Sequence, residues 1–252
     1  MISVVIITLN EEKRIGRLLE DLSNQTYRDF EVVVVDSNSE DKTCEVARGF
    51  GKAFQNLIVH RMDGRGTSLG RNTGAELATH ERLLFLDADV RLAPDFLAKA
   101  MHQFKKKPLE VAGVYMNGDE LALGYRLGYG LFNAGLLATS FFFPTAVGAC
   151  IFSTKHAHQR IGGFDEKIVL CEDCDYVRRA SQTFKFRMLP LTFSFDPRRL
   201  EQEGFFSMGL TYFKANVRRF FFGEMRNNEM DYKFGHYEDQ TKSTAEQQGG
   251  AA

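Results

Sequence analysis

Only four cysteines occur in the 252 residues, Cys44, Cys150, Cys171 and Cys174, too sparse for a disulfide framework. Prolines number 5 and tryptophan is absent, while 44% of the residues are hydrophobic, which excludes a collagenous or wholly disordered chain. A dominant charge is lacking as well: 32 Lys and Arg stand against 33 Asp and Glu, a net charge of -1. No overall field therefore favours nucleic acid, and any bound anion must be gripped locally. There is no internal repeat and no P-loop spacing, which removes the ordinary kinase and NTPase reading. Nothing at the N-terminus looks like a signal peptide. The opening apolar run at 1–7 is too short for a secretory or spanning helix and gives way to Asn10-Glu11-Glu12. It reads as a buried strand, with the cytoplasm as the expected location. At 28.6 kDa, the chain is long enough to bury a sizeable core in one large domain.

The first half alternates continuous β-branched runs with amphipathic stretches, the pattern of a parallel sheet covered on both faces. Each strand end is then a candidate ligand site. Strands are expected at 3–8, 30–35, 56–60 and 82–86. Helices are expected over 11–23, with Ile15, Leu18, Leu19 and Leu22 inward, from a cap at 39–43 to about 54, over 70–78, and from 95 to about 107. Residues 127–154 carry no charge. Their length would allow a membrane span, but Asn133, Thr139, Ser140 and Thr145 dilute them, and Pro144 falls where a spanning helix should continue. A core helix followed by a strand at 146–152 is expected instead. Past Tyr176 the balance turns basic, and Phe205-Phe206 through Phe220-Phe221-Phe222 interleaves aromatics with Lys214, Arg218 and Arg219. That stretch is either a helix packed on the domain or one lying in a membrane interface. Residues 240–252 are polar and small and are expected to be disordered.

Asp87-Ala88-Asp89 directly follows the apolar run Leu83-Leu84-Phe85-Leu86, so both carboxylates are expected at a carboxyl strand end, on one side because of the period of two. Mg2+ or Mn2+ is held by one or two carboxylates plus substrate phosphates, which points to a nucleotide phosphate; a solvated turn is the plainer alternative. Asp36, ending the second strand, is placed to accept hydrogen bonds from a ribose or base. Gly64-Arg65-Gly66 and Gly70-Arg71-Asn72-Thr73-Gly74 combine backbone freedom with guanidiniums, an environment for phosphates. Gly162-Gly163-Phe164-Asp165-Glu166 leads to Cys171-Glu172-Asp173-Cys174-Asp175, an acidic cluster before a helix at 176–182. One carboxylate there could be a base, or several could simply complement the helix dipole.

Taken in order, Val5-Ile6-Ile7-Thr8-Leu9-Asn10-Glu11-Glu12, Val34-Val35-Asp36-Ser37-Asn38-Ser39, Gly70-Arg71-Asn72-Thr73-Gly74, Asp87-Ala88-Asp89, Gly162-Gly163-Phe164-Asp165-Glu166 and Glu172-Asp173 resemble the family 2 glycosyltransferases. The resemblance runs over residues 1–200. It departs from the family at Ile7, where a proline is common, and at Leu9, where an aromatic is common. With no tryptophan there is no Gln-x-x-Arg-Trp element, which argues against a processive enzyme like the cellulose or chitin synthases.

The resemblance implies an α/β domain of the GT-A fold, Rossmann-like, with a mostly parallel central sheet flanked by helices. That domain would span 1–225, with a donor half at 1–115, an acceptor half at 116–200 and an aromatic, basic helical extension at 201–235. It implies inverting transfer of a sugar from a nucleotide-diphosphate donor, a UDP-sugar, to an acceptor hydroxyl, with Mn2+ or Mg2+ as cofactor. Thr8, Asn10, Glu11, Asp36, Arg65 and Arg71 would hold the donor, Asp87 the ribose side, and Asp89 with Asp87 the metal. Asp173 would be the base and Glu172 would face the acceptor, while Arg198 and Arg199 would clamp the diphosphate. A helix N-terminus at Asp173 is expected to depress its pKa. The uncharged stretch and the Phe-rich basic region suggest a lipid-linked or cell-surface glycan acceptor and peripheral contact with the cytoplasmic face of a membrane. A catalytically silent nucleotide-sugar-binding module and a sugar nucleotidyltransferase are the alternatives.

A rival reading of the same segment remains. His156-x-His158 shortly before Cys171-x-x-Cys174 offers the residue types of a structural zinc site.

Overall fold

The computed structural model describes residues 1–119, 121–168 and 170–195, together with 218, 219 and 223. The expected clamp residues Arg198 and Arg199, the bulk of the extension at 201–235 and the tail at 240–252 lie outside the described residues. In chain order the elements are β1 (Ile2–Thr8), α1 (Ile15–Ser23), β2 (Phe30–Asp36), α2 (Thr43–Gly49), β3 (Leu57–Arg61), α3 (Thr67–Leu77), β4 (Arg82–Asp87) and β5 (Val90–Arg91). They continue with α4 (Phe96–Lys106), β6 (Val111–Met116), α5 (Leu123–Thr139), β7 (Cys150–Thr154), α6 (Lys155–Arg160), α7 (Glu172–Ser181) and β8 (Phe186–Phe195).

The strands form one sheet in the order β3-β2-β1-β4-β7-β6-β8-β5. The first four run parallel, with Thr8 beside Asp36 and Ile7 beside Asp87, so the carboxyl ends of β1, β2 and β4 share one edge. Every residue of β1 and β2 is buried, as continuous β-branched runs require when helices cover both faces. One face packs on α1, α2 and α4 through residues such as Leu18, Ala47 and Phe96, and the other on α3, α6 and α7 through Ala75, Ala157 and Tyr176. β7 runs antiparallel to β4 with Cys150 against Leu86, which returns the loop at 145–149 to the carboxyl edge.

Several boundaries differ from the expectations, each for a local reason. α1 starts four residues later than the periodicity suggests: residues 12–14 form a turn, and the Glu11 and Glu12 amides donate to Thr43 Oγ1 and Asp41 Oδ2 across the neighbouring loop. The expected 70–78 helix begins at Thr67, and its glycines serve contact rather than freedom: a Cβ at Gly74 would lie 2.2 Å from Val5 Cγ1. α3 therefore sits hard against the sheet, which only glycine at that position permits. β7 begins at Cys150 rather than 146 because the chain turns there, with the Cys150 amide donating to the Val147 carbonyl. The uncharged stretch does hold a helix, α5, but not a core helix: it buries Tyr129 and Leu136 and leaves Leu123, Leu127 and Leu131 exposed.

Candidate active site

The parallel carboxyl edge begins with a tightly bonded corner. Thr8 Oγ1 donates to Asp36 Oδ1 at 2.9 Å, and the Ser39 amide and hydroxyl both donate to the same carboxylate. Asp36 is fully buried, so it organises the loop after β2. That loop is laced to the one after β1. The Asn10 amide donates to Ser39 Oγ and its Oδ1 accepts from the Glu40 amide, with Asn10 and Asn38 both at positive φ. Glu11 turns to Arg14 at 3.0 Å and Arg65 to Glu40 at 2.6 Å, the second pair at the surface. Beside this corner the Ser37 hydroxyl is buried with no hydrogen-bond partner among the described residues.

Arg71 is the centre of the site. It is 2% exposed, and its Nη1 donates to Glu172 Oε1 at 2.7 Å. Nη2 donates to Asp87 Oδ1 at 3.0 Å and to the Gly148 carbonyl at 3.2 Å. The guanidinium lies over the Phe164 ring at 5.1 Å, and Nε has no partner among the described residues. Three segments far apart in sequence, at the ends of β4 and α7 and in the loop before β7, thus converge on one cation. The two carboxylates hold the Arg71 pKa up despite burial. Arg71 is thus enclosed by the site's own carboxylates, with Nη1 and Nη2 both engaged within the protein.

Asp173 follows Glu172 in the first turn of α7 and packs against Gly148, where an added Cβ would lie 2.9 Å from Oδ2. The expectation that the helix N-terminus depresses its pKa is overturned. Burial pushes the Asp173 carboxyl up, against the opposing pull of Arg71, the Cys174 amide and Arg219. Burial raises Glu172 in the same way, with Arg71 opposing. Desolvation exceeds the dipole because it acts on the whole carboxylate, whereas the helix end offers Asp173 one amide, that of Cys174, at 2.7 Å.

The metal pair is also rearranged. β4 ends at Asp87, and Ala88-Asp89 form a turn, so the period of two does not extend to Asp89. Asp87 is 34% exposed with one oxygen on Arg71, and Asp89 lies near Tyr129. Among the described residues no three His, Cys, Asp or Glu side chains gather into a metal-holding group. Two partly exposed carboxylates are nevertheless the donor type that suits a Mg2+ or Mn2+ ion whose remaining ligands would be phosphate oxygens and water. The rival zinc set does not converge: His156 is exposed, whereas His158 is buried with Nδ1 3.2 Å from the Tyr176 hydroxyl. The Cys174 thiol turns to the Ala146 carbonyl.

Sequence reasoning missed four contributors. Asn72 clamps the Gly162-Gly163-Phe164 turn, accepting from the Phe164 amide at 2.8 Å and donating to its carbonyl at 3.0 Å. That turn carries Gly163 at φ +70 and seats Phe164, which stacks on Tyr176 at 4.0 Å between ring centroids. Gly148 supplies the third acceptor for Arg71, and Ser37 the orphan hydroxyl. Arg219, from the Phe-rich basic region, is buried over the Phe143 ring at 5.6 Å, and its charge favours the ionised Asp173. Asn72 and Ser37 stood inside motifs already noted and Arg219 in the basic aromatic stretch, but none had been given this role; Gly148 carries no local signal.

The family model described as Glycosyl transferase family 2 matches residues 3–158. Glycosyltransferase AglE of Haloferax volcanii is 33% identical over 132 residues, covering 49% of this chain and 43% of that protein. A PGL/p-HBAD biosynthesis glycosyltransferase of Mycobacterium bovis is 40% identical over 90 residues, 35% of each chain. The chain thus spans less than half the length of these curated relatives. Among solved structures, a mannosyltransferase from Pyrobaculum calidifontis in complex with GDP-Man and Mn2+ aligns with a TM-score of 0.66 at 24% identity, covering 77% of this chain and 56% of that one. Staphylococcus aureus TarS 1-349 in complex with UDP aligns with a TM-score of 0.62 at 21% identity, covering 80% and 62%. At these identities the structural likeness establishes the fold, a mixed α/β sheet flanked by helices as in the GT-A glycosyltransferases.

Proposed function

Because the chain belongs to the family 2 glycosyltransferases, we propose that the cleft at the carboxyl edge of β1, β2 and β4 transfers a sugar from a nucleotide diphosphate to an acceptor hydroxyl, with inversion. The observation that carries this reading is the Arg71 bridge, which joins Asp87 on the donor side to Glu172, the neighbour of Asp173. The acceptor hydroxyl attacks the anomeric carbon from the face opposite the diphosphate, the bond from that carbon to the diphosphate oxygen breaks, and Asp173 takes the hydroxyl proton. A carboxylate whose proton affinity is raised by burial is a better general base than an exposed one. Glu172, tied to Arg71, positions its neighbour and faces the acceptor. A nucleotide-binding module would need no such base, which favours an enzyme over a catalytically silent relative.

On the donor side the Thr8–Asp36–Ser39 corner and the Ser37 hydroxyl would border the nucleoside, a uridine in this reading. Asn10, Glu11 and Arg65 shape the loops around it. Asp87 and Asp89 would hold Mn2+ or Mg2+, which when bound neutralises charge on the departing diphosphate. The acceptor we infer is a glycan or a lipid-linked molecule at a membrane surface. In this reading one domain spans 1–225, and Arg198 and Arg199, which lie outside the described residues, would clamp the diphosphate.

Titration calorimetry of UDP and of GDP, each with and without Mn2+, tests the reading on the wild type and on Asp89→Ala. Metal-dependent binding of one nucleotide, lost in the variant, is the expected result. Binding of neither would overturn it. Release of pyrophosphate during turnover would mark a sugar nucleotidyltransferase instead.

A further inference from the structure

Helix α5 is the element that the core leaves over. No α5 side chain belongs to either hydrophobic cluster of the sheet. It is held to the body through buried Tyr129 and Leu136 and through Asn133, which exchanges hydrogen bonds with the Met116 backbone. Its outer side carries Leu123, Leu127, Leu131 (78% exposed) and Leu137, and the chain beyond adds Phe141 and Phe142 (72% exposed). Residues 127–154 hold no charged group, and the smaller outward positions of α5 are Gly130, Ala134, Gly135 and Ala138. Soluble chains rarely expose so continuous an apolar face without a use for it.

The chemistry of this face selects its occupant. A protein partner would be met by hydrogen-bonding side chains, at about one bond per 100–200 Å2 of interface. Between Arg126 and Thr139 the only such side chains are Tyr129 and Asn133, and both are turned inward, Tyr129 buried and Asn133 bonded to the Met116 backbone. A bilayer asks for no hydrogen bonds along the apolar side and offers phosphates at the edge. The edge carries arginines: at one end Arg126 is 60% exposed, 3.8 Å from the exposed Asp119 carboxylate, and at the other the Arg187 and Arg178 guanidiniums lie over Phe141 and Phe143 at 5.1 and 5.4 Å. An aliphatic and aromatic stripe rimmed by cations is the composition of a helix that lies in a membrane interface. At 17 residues α5 is about 26 Å long, at 1.5 Å per residue, and no helix among the described residues is long and apolar enough to cross a membrane.

We propose that α5, with Phe141 and Phe142, is an interfacial docking face that seats this chain on an anionic lipid bilayer. Its placement gives the docking a purpose. The inward Tyr129 is close enough to Asp89 to feel its charge. At the other end Phe143 packs under Arg219, whose charge reaches Asp173. The face therefore borders the cleft from the metal pair to the base, and a molecule anchored in the bilayer can offer its hydroxyl to Asp173 without leaving the lipid. That consequence, an amphiphilic acceptor, rests on the transfer reading; the docking does not.

Flotation with phosphatidylcholine vesicles, with and without phosphatidylglycerol, tests the proposal on the full chain. The wild type should float, more strongly with phosphatidylglycerol. Leu127→Glu/Leu131→Glu should lower the partition coefficient on the order of a hundredfold, and Phe142→Asp on the order of tenfold. Nucleotide binding by calorimetry should be unchanged in all three, which shows that the variants are folded and separates a failure of docking from a failure of the donor site. A wild type that stays with the unbound fraction in both lipids would overturn the proposal. So would a wild-type dimer, seen by sedimentation velocity, that does not float and that the glutamates dissociate.

Discussion

Arg71 and Glu172 stand 101 positions apart in the sequence and 2.7 Å apart in the fold, joined by a charge-assisted hydrogen bond between a side chain 2% exposed and one 12% exposed. The same guanidinium holds Asp87. A buried cation with two carboxylates leaves an uncompensated buried charge when either side is removed, and the geometry of its three acceptors suits a planar fork.

Arg71→Met should accordingly destabilise the chain by about 3–5 kcal/mol, the range for breaking a buried ion pair. Urea denaturation followed by circular dichroism measures it. The loss should shrink at acidic pH, where the stranded Glu172, its pKa already raised by burial, can be protonated, and Arg71→Lys should recover only part of it because a point charge cannot bridge all three acceptors. Wild-type stability in Arg71→Met would show that the bridge is dispensable.

Asp173→Asn should lower kcat by about 10²–10⁴-fold while nucleotide affinity stays near wild type, since the change removes a proton acceptor without removing volume. Retained turnover would move the base to Glu172 or Asp175. Because burial raises the Asp173 pKa, the acid limb of kcat/KM should lie above the ordinary carboxylate range. The base must be ionised to act, so activity falls as pH drops through that limb. Arg219 favours the ionised form, so Arg219→Gln should move the limb to still higher pH, and an unmoved limb would remove Arg219 from the site's electrostatics.

Gly74→Ala places a Cβ 2.2 Å from Val5 Cγ1 and 3.2 Å from Val35 Cγ2, and α3 can relieve that only by lifting from the sheet. Overpacking of this kind costs about 1–3 kcal/mol. Since Arg71 lies one turn earlier on the same helix, kcat should fall as well. Gly49→Ala, where nothing lies within 4 Å of the new methyl, should instead be neutral or stabilising by about 0.4–1 kcal/mol. Equal thermal denaturation midpoints for the two variants would contradict the close contact of α3.

His158, buried beside Phe85, Phe164 and Tyr176, has its pKa pushed down to about 4 from 6.5, first by burial and then by Arg179 and Lys155. A folded-state pKa below the unfolded value means that the unfolded chain binds the proton first. The stability due to neutral His158 is therefore complete above about pH 6.5 and is lost as pH falls toward about 4, by roughly 3 kcal/mol in total. Denaturation midpoints between those two pH values should fall more steeply for the wild type than for His158→Gln. Parallel curves would assign the acid sensitivity elsewhere.

Much of the donor half was legible in the chain. Unbroken β-branched runs such as Val32-Val33-Val34-Val35 need both faces covered, and the strands they form must then end at polar residues on a common edge; Thr8, Asp36 and Asp87 stand there. Helix limits were less legible because they depend on tertiary neighbours: residues 12–14 form a turn beside the loop after β2, where the Glu11 and Glu12 amides meet Thr43 and Asp41. Gly70 and Gly74 show the same limit, since a glycine in a loop and a glycine under a helix are written alike.

What the sequence determined by itself is the alternation of strand and helix, the identity of the polar residues at the strand ends and the order of the motifs, all of which follow from local periodicity and side-chain chemistry. The tertiary structure alone decided three further things. Arg71 faces Glu172 and Asp87 instead of solvent, because the antiparallel return of β7 and the start of α7 bring Gly148 and Glu172 to the parallel edge. The Asp173 pKa rises instead of falling, because desolvation is set by what surrounds the carboxyl and not by its place in a helix. And the apolar α5 lies outside the core, because the two faces of the sheet were already filled by α1, α2, α4 and by α3, α6, α7. Burial is a property of the whole packing, and no local pattern of residues can state it.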